Sequence, residues 1–457
     1  MSEKILKDIN IFNSLASDLI LDQKKGVSTR IDPKELLEKF NISLVEEGIE
    51  DSQLIHDLKS IIISTPKTSG KLFFNQLFGG LNSKAVLGDL IAVLLNNSMS
   101  TYKIAGVMVE IEKEIIRNIC DLVNYPKDAG GTFPTGGSMS NFMAMIMARD
   151  RISPESRNTG ENTNLVCYTS EDAHYSIGKN SSFSGIGRNN IRYIPTNNRG
   201  EMITEYLERR ILEDLENNYI PTLVTATAGT TVMGSTDPIS DIGDICKKYK
   251  IWLHVDGSYS GTVIFSDKYK HLINGIEKSD SFCFNAHKTL GTPLSTSIIV
   301  VKNKSEIFNS FNNKADYLYQ TEEDGEYNLG QTSFECGRRN NALKFWTLWK
   351  SIGKNGIAKM IEKNYYLANV AYKYVKYNKD YQLYSYENSL SICFNYKNFD
   401  PVDLCTKLYK KNKLMVGYGS HKGETFIRLV SVNRENDEKD ILNFFRTLED
   451  FANKSDL

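Results

Sequence analysis

Lys288, Asp256 and His174 are the residues whose chemistry asks for a shared explanation. Lys288 is an amine set among small and polar residues in SFCFNAHKTLGTPLSTS, Asp256 closes the run IWLHVDG, and His174 lies in EDAHYS. Singly they mean little, because a lone lysine is nearly always a solvated charge and a strand-end aspartate usually caps the following turn. Their order along the chain changes that reading. Ahead of them, GGTFPTGGSMSN runs into the apolar helix pattern FMAMIMARD, and TAGTTVMGSTDPI lies between His174 and Asp256. A Gly/Ser segment at a helix start offers free N–H groups to an anion such as phosphate, although the same composition suits an ordinary helix cap. It matches neither the G-x-x-x-x-G-K-[ST] loop nor the G-x-G-x-x-G fingerprint. Taken together, these are the parts pyridoxal phosphate requires: an anion cradle, a side chain to stack on the ring, an anion to keep the pyridine nitrogen protonated, and an amine for a Schiff base. His254 and Asp256, two residues apart on a strand, face the same way. With His287 they would make a metal trio, but regularly spaced ligands are too few to favour one.

The elements that must position these groups alternate in type. The short β-branched runs NLVCYTS, NIRYIPT, TLVTATAG, IWLHVDG, SFCFNAH and STSIIVV are separated by stretches long enough for helices. That rhythm predicts an α/β fold, a mostly parallel central sheet flanked by helices. Before it, residues 1–100 read as a helical arm, with helix patterns in IDPKELLEKF and VLGDLIAVLLNN, and a long amphipathic helix is expected over Tyr102–Val123. The large domain spans 101–355, including a polar, acidic loop over Thr321–Thr332 and the helix pattern NNALKFWTLWKSIG. A smaller C-terminal α/β domain, 356–457, has SLSICFNY, LMVGYG and TFIRLVSV as strands and ENDEKDILNFFRTLEDFAN as a closing helix.

Composition narrows the setting. With 55 basic and 56 acidic residues in 457, the net charge of -1 supplies no field for nucleic acid or an anionic membrane. Hydrophobic content of 40% with 10 prolines and 31 glycines is that of an ordered globular chain. The seven cysteines are scattered, odd in number and never form C-x-x-C, which favours a reducing compartment over a disulfide framework. No signal peptide or membrane-spanning stretch is evident, so a cytoplasmic location is expected.

From about Lys71 onward, the order and spacing of SMSN, EDAHYS, HVDG and NAHK resemble the pyridoxal-phosphate-dependent group II decarboxylases, which act on glutamate, aspartate, cysteine sulfinate and aromatic amino acids. The resemblance implies fold type I and a homodimer with a site at the subunit interface. It makes Lys288 the cofactor lysine, Asp256 the partner of the pyridinium nitrogen and His174 the residue stacked on the ring. Ser138, Met139 and Ser140 take phosphate-loop positions, with Thr230 and Ser258 near the cofactor and His287 beside the lysine. Tyr317, in KADYLYQTEEDGEYNLG, matches the mobile-loop tyrosine that protonates the α-carbon; by itself it reads as a packed ring. The sequence departs from the family in having Ala286 where proline is commoner and Gly257–Ser258 where small apolar residues are usual.

The resemblance also bears on the substrate. FFNQL is like the acidic-substrate branch, with Gln76 near the distal carboxylate, and Arg338 in CGRRNNALKFW matches an arginine that pairs with a substrate carboxylate. Arg339 beside it reads as a surface charge. Ser98 stands where glutamate enzymes tend to carry Asn and cysteine sulfinate enzymes Ser, which tilts the expectation toward aspartate or cysteine sulfinate with glutamate close behind. The alternatives are an aromatic amino acid decarboxylase, another pyridoxal-phosphate lyase, or a binding protein that keeps the fold without catalysis.

Overall fold

The computed structural model describes residues 2–23, 26–27, 31–161, 164–313, 315, 317–319 and 322–454. Its strands, in chain order, are β1 (Phe73–Phe74), β2 (Gly130–Thr132), β3 (Leu165–Ser170), β4 (Ile191–Ile194), β5 (Ile220–Thr227), β6 (Trp252–Gly257), β7 (Ser281–Asn285), β8 (Ser297–Val301), β9 (Tyr381–Leu383), β10 (Ser391–Tyr396), β11 (Met415–His421) and β12 (Glu424–Val430). Seven of them form one sheet in the order β2-β8-β7-β6-β5-β3-β4. The pairings from β4 through β7 are parallel, whereas β8 runs antiparallel to both β7 and β2. Helices cover both faces, which is why β3, β6, β7 and β8 are buried at every residue and read as largely apolar runs without strict alternation, their buried polar residues including His254, Asp256 and Ser281. In such a sheet the carboxyl ends of the parallel strands face the ligand crevice. Asp256 and Asn285 stand at two of those ends, and Lys288 follows in a one-turn helix, Ala286–Thr289.

The strand β2 lies where the sequence reads as a glycine loop. It forms because Gly131 lets the backbone close onto β8: a Cβ there would meet the Ile299 carbonyl at 2.3 Å. The helix expected over Tyr102–Val123 is two helices, Tyr102–Ala105 and Val107–Leu122, divided at Gly106, whose φ of 53° glycine adopts without strain. The helix Gly137–Ile152 is buried at every residue from Met143 to Ala148, so it shows no polar face over that stretch and packs beneath the sheet.

The second sheet has the order β1-β11-β12-β10-β9, parallel only between β1 and β11. The helix Glu438–Lys454 lays Phe444 and Phe445 against Phe74 and Phe394 in its core. Each such ring contributes about 1.5–3 kcal/mol by its burial. The helix Ala342–Lys376 packs on elements of both sheets and breaks at Gly353, φ 67°, next to the domain boundary expected at 355/356.

In the arm, helices Ser2–Asp22 and Asp51–Ser64 run side by side, linked by Lys7–Asp51 (2.6 Å) and Lys59–Asp18 (2.8 Å). A buried Lys67–Asp22 pair at 2.7 Å ties them to the body. IDPKELLEKF forms only short turns, Pro33–Glu35 and Leu36–Lys39, because none of these residues has a surface to bury against. Of the polar stretch 321–332, Thr321 lies outside the described residues, and the rest includes two 3₁₀ turns, Glu322–Tyr327 and Leu329–Thr332.

Candidate active site

A cavity of about 230 Å³ opens at the carboxyl ends of β5, β6 and β7, and Ser138, His174, Asp256, Ser258 and Lys288 all line it. Gly137 and Ser138 begin the helix on its wall. The amides of Met139 and Ser140 close onto the Gly136 carbonyl at 3.0 Å, and those of Gly137 and Ser138 have no intrahelical acceptor, as helix geometry requires. The cradle is tight, since a Cβ on Gly137 would lie 2.4 Å from Ser258 Oγ and 2.8 Å from Asn285 Nδ2.

Asp256 is buried, and its Oδ1 accepts from the Ser258 amide at 3.0 Å and its Oδ2 from Asn141 Nδ2 at 2.7 Å. Burial alone would raise its pKa. Those two donors, with smaller contributions from the neighbouring His254 and Lys288, outweigh burial and hold the carboxyl below the usual carboxylate range. Burial pushes the Lys288 amine below its ordinary pKa against the opposing pull of Asp256, favouring the neutral nucleophile. Burial likewise lowers the pKa of His174, whose Nδ1 is 2.8 Å from Ser176 Oγ. An amine, an ionised carboxylate, an imidazole and a helix-start anion site around one polar cavity fit pyridoxal phosphate, whose amine-reactive, cationic and anionic parts each meet a suitable partner.

Other expected residues sit one layer away. Ser140 is buried with its Oγ 2.9 Å from Ser297 Oγ, and Met139 packs its side chain into the core. The Thr230 hydroxyl accepts from the Ser235 amide at 3.1 Å, while its neighbours Gly229 and Thr231 line the cavity instead. His287 Nδ1 accepts from the Thr296 amide at 3.0 Å, and burial, with the Lys288 charge, pushes its pKa down to about 4. Tyr317 is 80% exposed in a turn closed by the Leu318 and Tyr319 amides on the Ala315 carbonyl, and is not among the cavity-lining residues.

Ser98 and Arg338 come together: Ser98 Oγ accepts from the Arg338 amide at 3.2 Å and donates to the Cys336 carbonyl at 3.2 Å. The Arg338 guanidinium is buried against Glu112, and its Nε and Nη1 have no hydrogen-bond partner among the described residues. Arg339 pairs with Asp89 at 2.9 Å on the exposed side. Gln76 is exposed and lies outside the cavity wall.

Sequence reasoning missed two residues. Asn141, three positions after Ser138 and therefore on the same helix face, lines the cavity and holds Asp256. Arg428, a charge inside the apolar run TFIRLVSV, is buried and donates to the Thr231 carbonyl at 2.5 Å and the Asn75 carbonyl at 2.9 Å, leaving Nε without a partner among the described residues. In both cases the signal was a polar side chain at a position patterned for burial.

The pyridoxal-dependent decarboxylase conserved domain matches residues 33–397. The chain belongs to that family. Acidic amino acid decarboxylase GADL1 of Mus musculus is 32% identical to this decarboxylase over 432 residues, covering 90% of this chain and 78% of the relative. Cysteine sulfinic acid decarboxylase of Homo sapiens is 33% identical over 426 residues, covering 88% and 86%. The crystal structure of mouse CSAD matches with a TM-score of 0.92 at 31% identity over 98% of each chain. Catharanthus roseus tryptophan decarboxylase matches with a TM-score of 0.90 at 22% identity, covering 99% of this chain and 98% of that one, and shares the fold.

The two departures from the family pattern have local causes in this decarboxylase. A Cβ at Gly257 would meet the Phe282 ring at 2.6 Å and the Cys283 carbonyl at 2.7 Å. The Ala286 amide donates to the Thr296 carbonyl at 2.9 Å, a bond that proline could not make.

Proposed function

We propose that this chain is a homodimeric, cytoplasmic decarboxylase of acidic L-amino acids, with aspartate or cysteine sulfinate ahead of glutamate. The observation that carries the reading is the placement of the Lys288 amine and the ionised Asp256 carboxylate on one cavity wall. The names of its relatives, acidic amino acid decarboxylase and cysteine sulfinic acid decarboxylase, support the substrate class.

Bound pyridoxal phosphate supplies a carbonyl that condenses with amines and a ring that accepts the electron pair released with CO₂. Lys288 would hold it through its amine, close to where a substrate amine would enter. Asp256 would hold a proton at the ring nitrogen through a charge-assisted contact. His174 would pack on the ring face, and the helix start at Ser138, with Met139 and Ser140 behind it, would hold the phosphate. Ser258 braces Asp256 through its amide, Thr230 shapes the 229–235 turn, and His287 stays neutral beside the lysine. Tyr317 delivers the proton to the α-carbon when its loop closes.

An amino diacid has two carboxylates; among the described residues Arg338 and Arg428 are buried as whole residues and keep guanidinium N–H groups without a hydrogen-bond partner, as do the less buried Arg210 and Arg434, and neither Arg338 nor Arg428 lies on the cavity wall itself. Arg338, placed by Ser98 and helped by Gln76, reads the distal carboxylate. A site built this way leaves buried donors unpaired when the substrate lacks the group. Acidic amino acids are therefore expected to exceed phenylalanine and tyrosine derivatives by at least ~100-fold in kcat/KM. Arg338→Ala should erase most of that gap. Efficient turnover of an aromatic amino acid by the wild type, measured as CO₂ and amine across a substrate panel, would overturn the acidic assignment.

The dimer is supported by an apolar surface: Leu87, Ile91, Val93, Leu94 and Leu95 on the helix Ser83–Leu95, with Ile104 and Val107 nearby, are all exposed. Contiguous apolar surface of this kind marks an association face. Sedimentation is expected to show a dimer at assay concentration, and an active monomer would contradict it. The cytoplasmic reading is supported by seven free cysteines, six of them buried. No helix among the described residues is long and apolar enough to cross a membrane.

A further inference from the structure

Behind Asp256 a line of hydrogen bonds crosses the sheet, and the chemistry of its ends sets the direction of every bond. His254 and Asp256 point to the same side of β6, opposite Ser281 and Cys283 of β7, while Asn141 reaches in from the helix Gly137–Ile152. At one end, Trp252 Nε1 can only donate, and it donates to Ser281 Oγ at 2.8 Å. The Ser281 hydroxyl proton is then available to His254 Nδ1, 2.9 Å away. At the other end, the Asp256 carboxylate can only accept, so Asn141 presents its NH₂ group there, at 2.7 Å from Oδ2. The Asn141 carbonyl oxygen consequently faces His254 Nε2 at 3.0 Å and requires a proton on it. His254 is thus the neutral Nε2–H tautomer, and burial, which pushes its pKa down to about 4, keeps it so.

The same NH₂ group has a second hydrogen, directed at Ser176 Oγ at 3.2 Å. With that oxygen accepting from Asn141, the Ser176 hydroxyl donates to His174 Nδ1 at 2.8 Å, and the Ser176 amide adds a longer bond at 3.3 Å. Both donors leave Nδ1 without a proton, so neutral His174 carries its proton on Nε2. We propose that Asn141 is the positioning residue that ties Asp256 and His174 together, one amide group orienting both and fixing the tautomers of His174 and His254. This rests on the reading that Asp256 and His174 hold the cofactor ring. The charged or titratable groups facing His254 are Asp256 and Cys283, and those facing His174 are Asp256, Lys288 and Tyr175, whose ring centroid lies 4.3 Å from that of the imidazole. The Cys283 thiol, pushed up by burial, stays protonated between Asn141 and Asp256.

Substitutions at Asn141 separate positioning from packing. Asn141→Asp keeps the shape but turns an acceptor toward Asp256, and two carboxylates at that separation must share a proton. His254, then facing a carboxylate, should become doubly protonated near neutral pH. Asn141→Ala removes the bonds to Asp256, Ser176 and His254, with the longer one from Cys283, and should let His174 populate both tautomers. Side-chain ¹⁵N NMR of the six histidines in the cofactor-free protein, assigned with His→Gln variants, reads both states. The wild type should show His174 and His254 as Nε2–H tautomers. In the loaded enzyme, Asn141→Asp should lower kcat ~100-fold with a displaced pH profile, and Asn141→Ala should weaken cofactor binding at least ~10-fold. Unchanged His174 and His254 signals in a folded Asn141→Asp or Asn141→Ala protein would overturn the proposal, as would a wild-type His254 with its proton on Nδ1. A wild type that neither binds pyridoxal phosphate nor decarboxylates would overturn the functional reading instead, leaving the histidine states as measured.

Discussion

Asp256→Ala is expected to slow decarboxylation by roughly 10³-fold or more, a loss of the size found when a preorganised charge partner is removed from a buried site. The reason lies in how the carboxylate is held. Asp256 is buried, yet the Ser258 amide and Asn141 keep it ionised, so its charge is available at the moment electron density moves toward the ring nitrogen. Removing it withdraws the group that keeps that nitrogen protonated, while Lys288 and the helix-start anion site still anchor the cofactor. Steady-state kinetics with the best acidic substrate measures the effect, and a loss below tenfold would mean that another group serves the nitrogen. Asp256→Asn should recover little, because a neutral amide cannot hold the proton in the same way.

Tyr317→Phe should separate bond cleavage from product formation. Losing CO₂ needs alignment of the scissile bond and an electron sink, tasks the proposed function assigns to Lys288, Asp256 and His174. Making the amine needs a proton at the α-carbon from a donor within hydrogen-bond reach. The substitution keeps the ring and removes only the hydroxyl. The variant is therefore expected to bind cofactor and substrate almost normally and to release CO₂, while amine formation falls by ~100-fold or more, within the range for general acids. The diverted material should emerge as aldehyde and pyridoxamine phosphate, or through reaction with O₂. Tyr317 is exposed in a turn away from the cavity lining, so its action depends on loop closure. Equal CO₂ and amine at the wild-type rate would assign the proton to His174 or Lys288.

The strands of the large sheet were legible because burial on both faces demands largely apolar, β-branched runs, and such runs stand out beside amphipathic helices. That Lys288, Asp256 and His174 meet on one cavity was legible because a cofactor with an aldehyde, a basic nitrogen and a phosphate would need chemically distinct partners from separate segments. What remained hidden depended on three-dimensional closeness. The role of Asn141 arises only when the helix Gly137–Ile152 crosses the end of β6. Arg428 meets the Thr231 carbonyl only because β12 packs beside the 229–235 turn; its charge inside the apolar run TFIRLVSV marks it as unusual but does not say what it touches. The pairing of Arg338 with Glu112 joins residues 226 positions apart. The break at Gly106 was masked by an apolar periodicity that continues through it.

Borohydride reduction of the protein loaded with pyridoxal phosphate, followed by peptide mapping, is the most direct measurement of whether this cavity is a decarboxylase site. Loaded protein should be yellow, and reduction should fix a phosphopyridoxyl group irreversibly on Lys288, with no label at that position in Lys288→Ala and no turnover by that variant. Label on a different lysine, a protein that stays colourless with the cofactor, or normal turnover by Lys288→Ala would contradict the assignment.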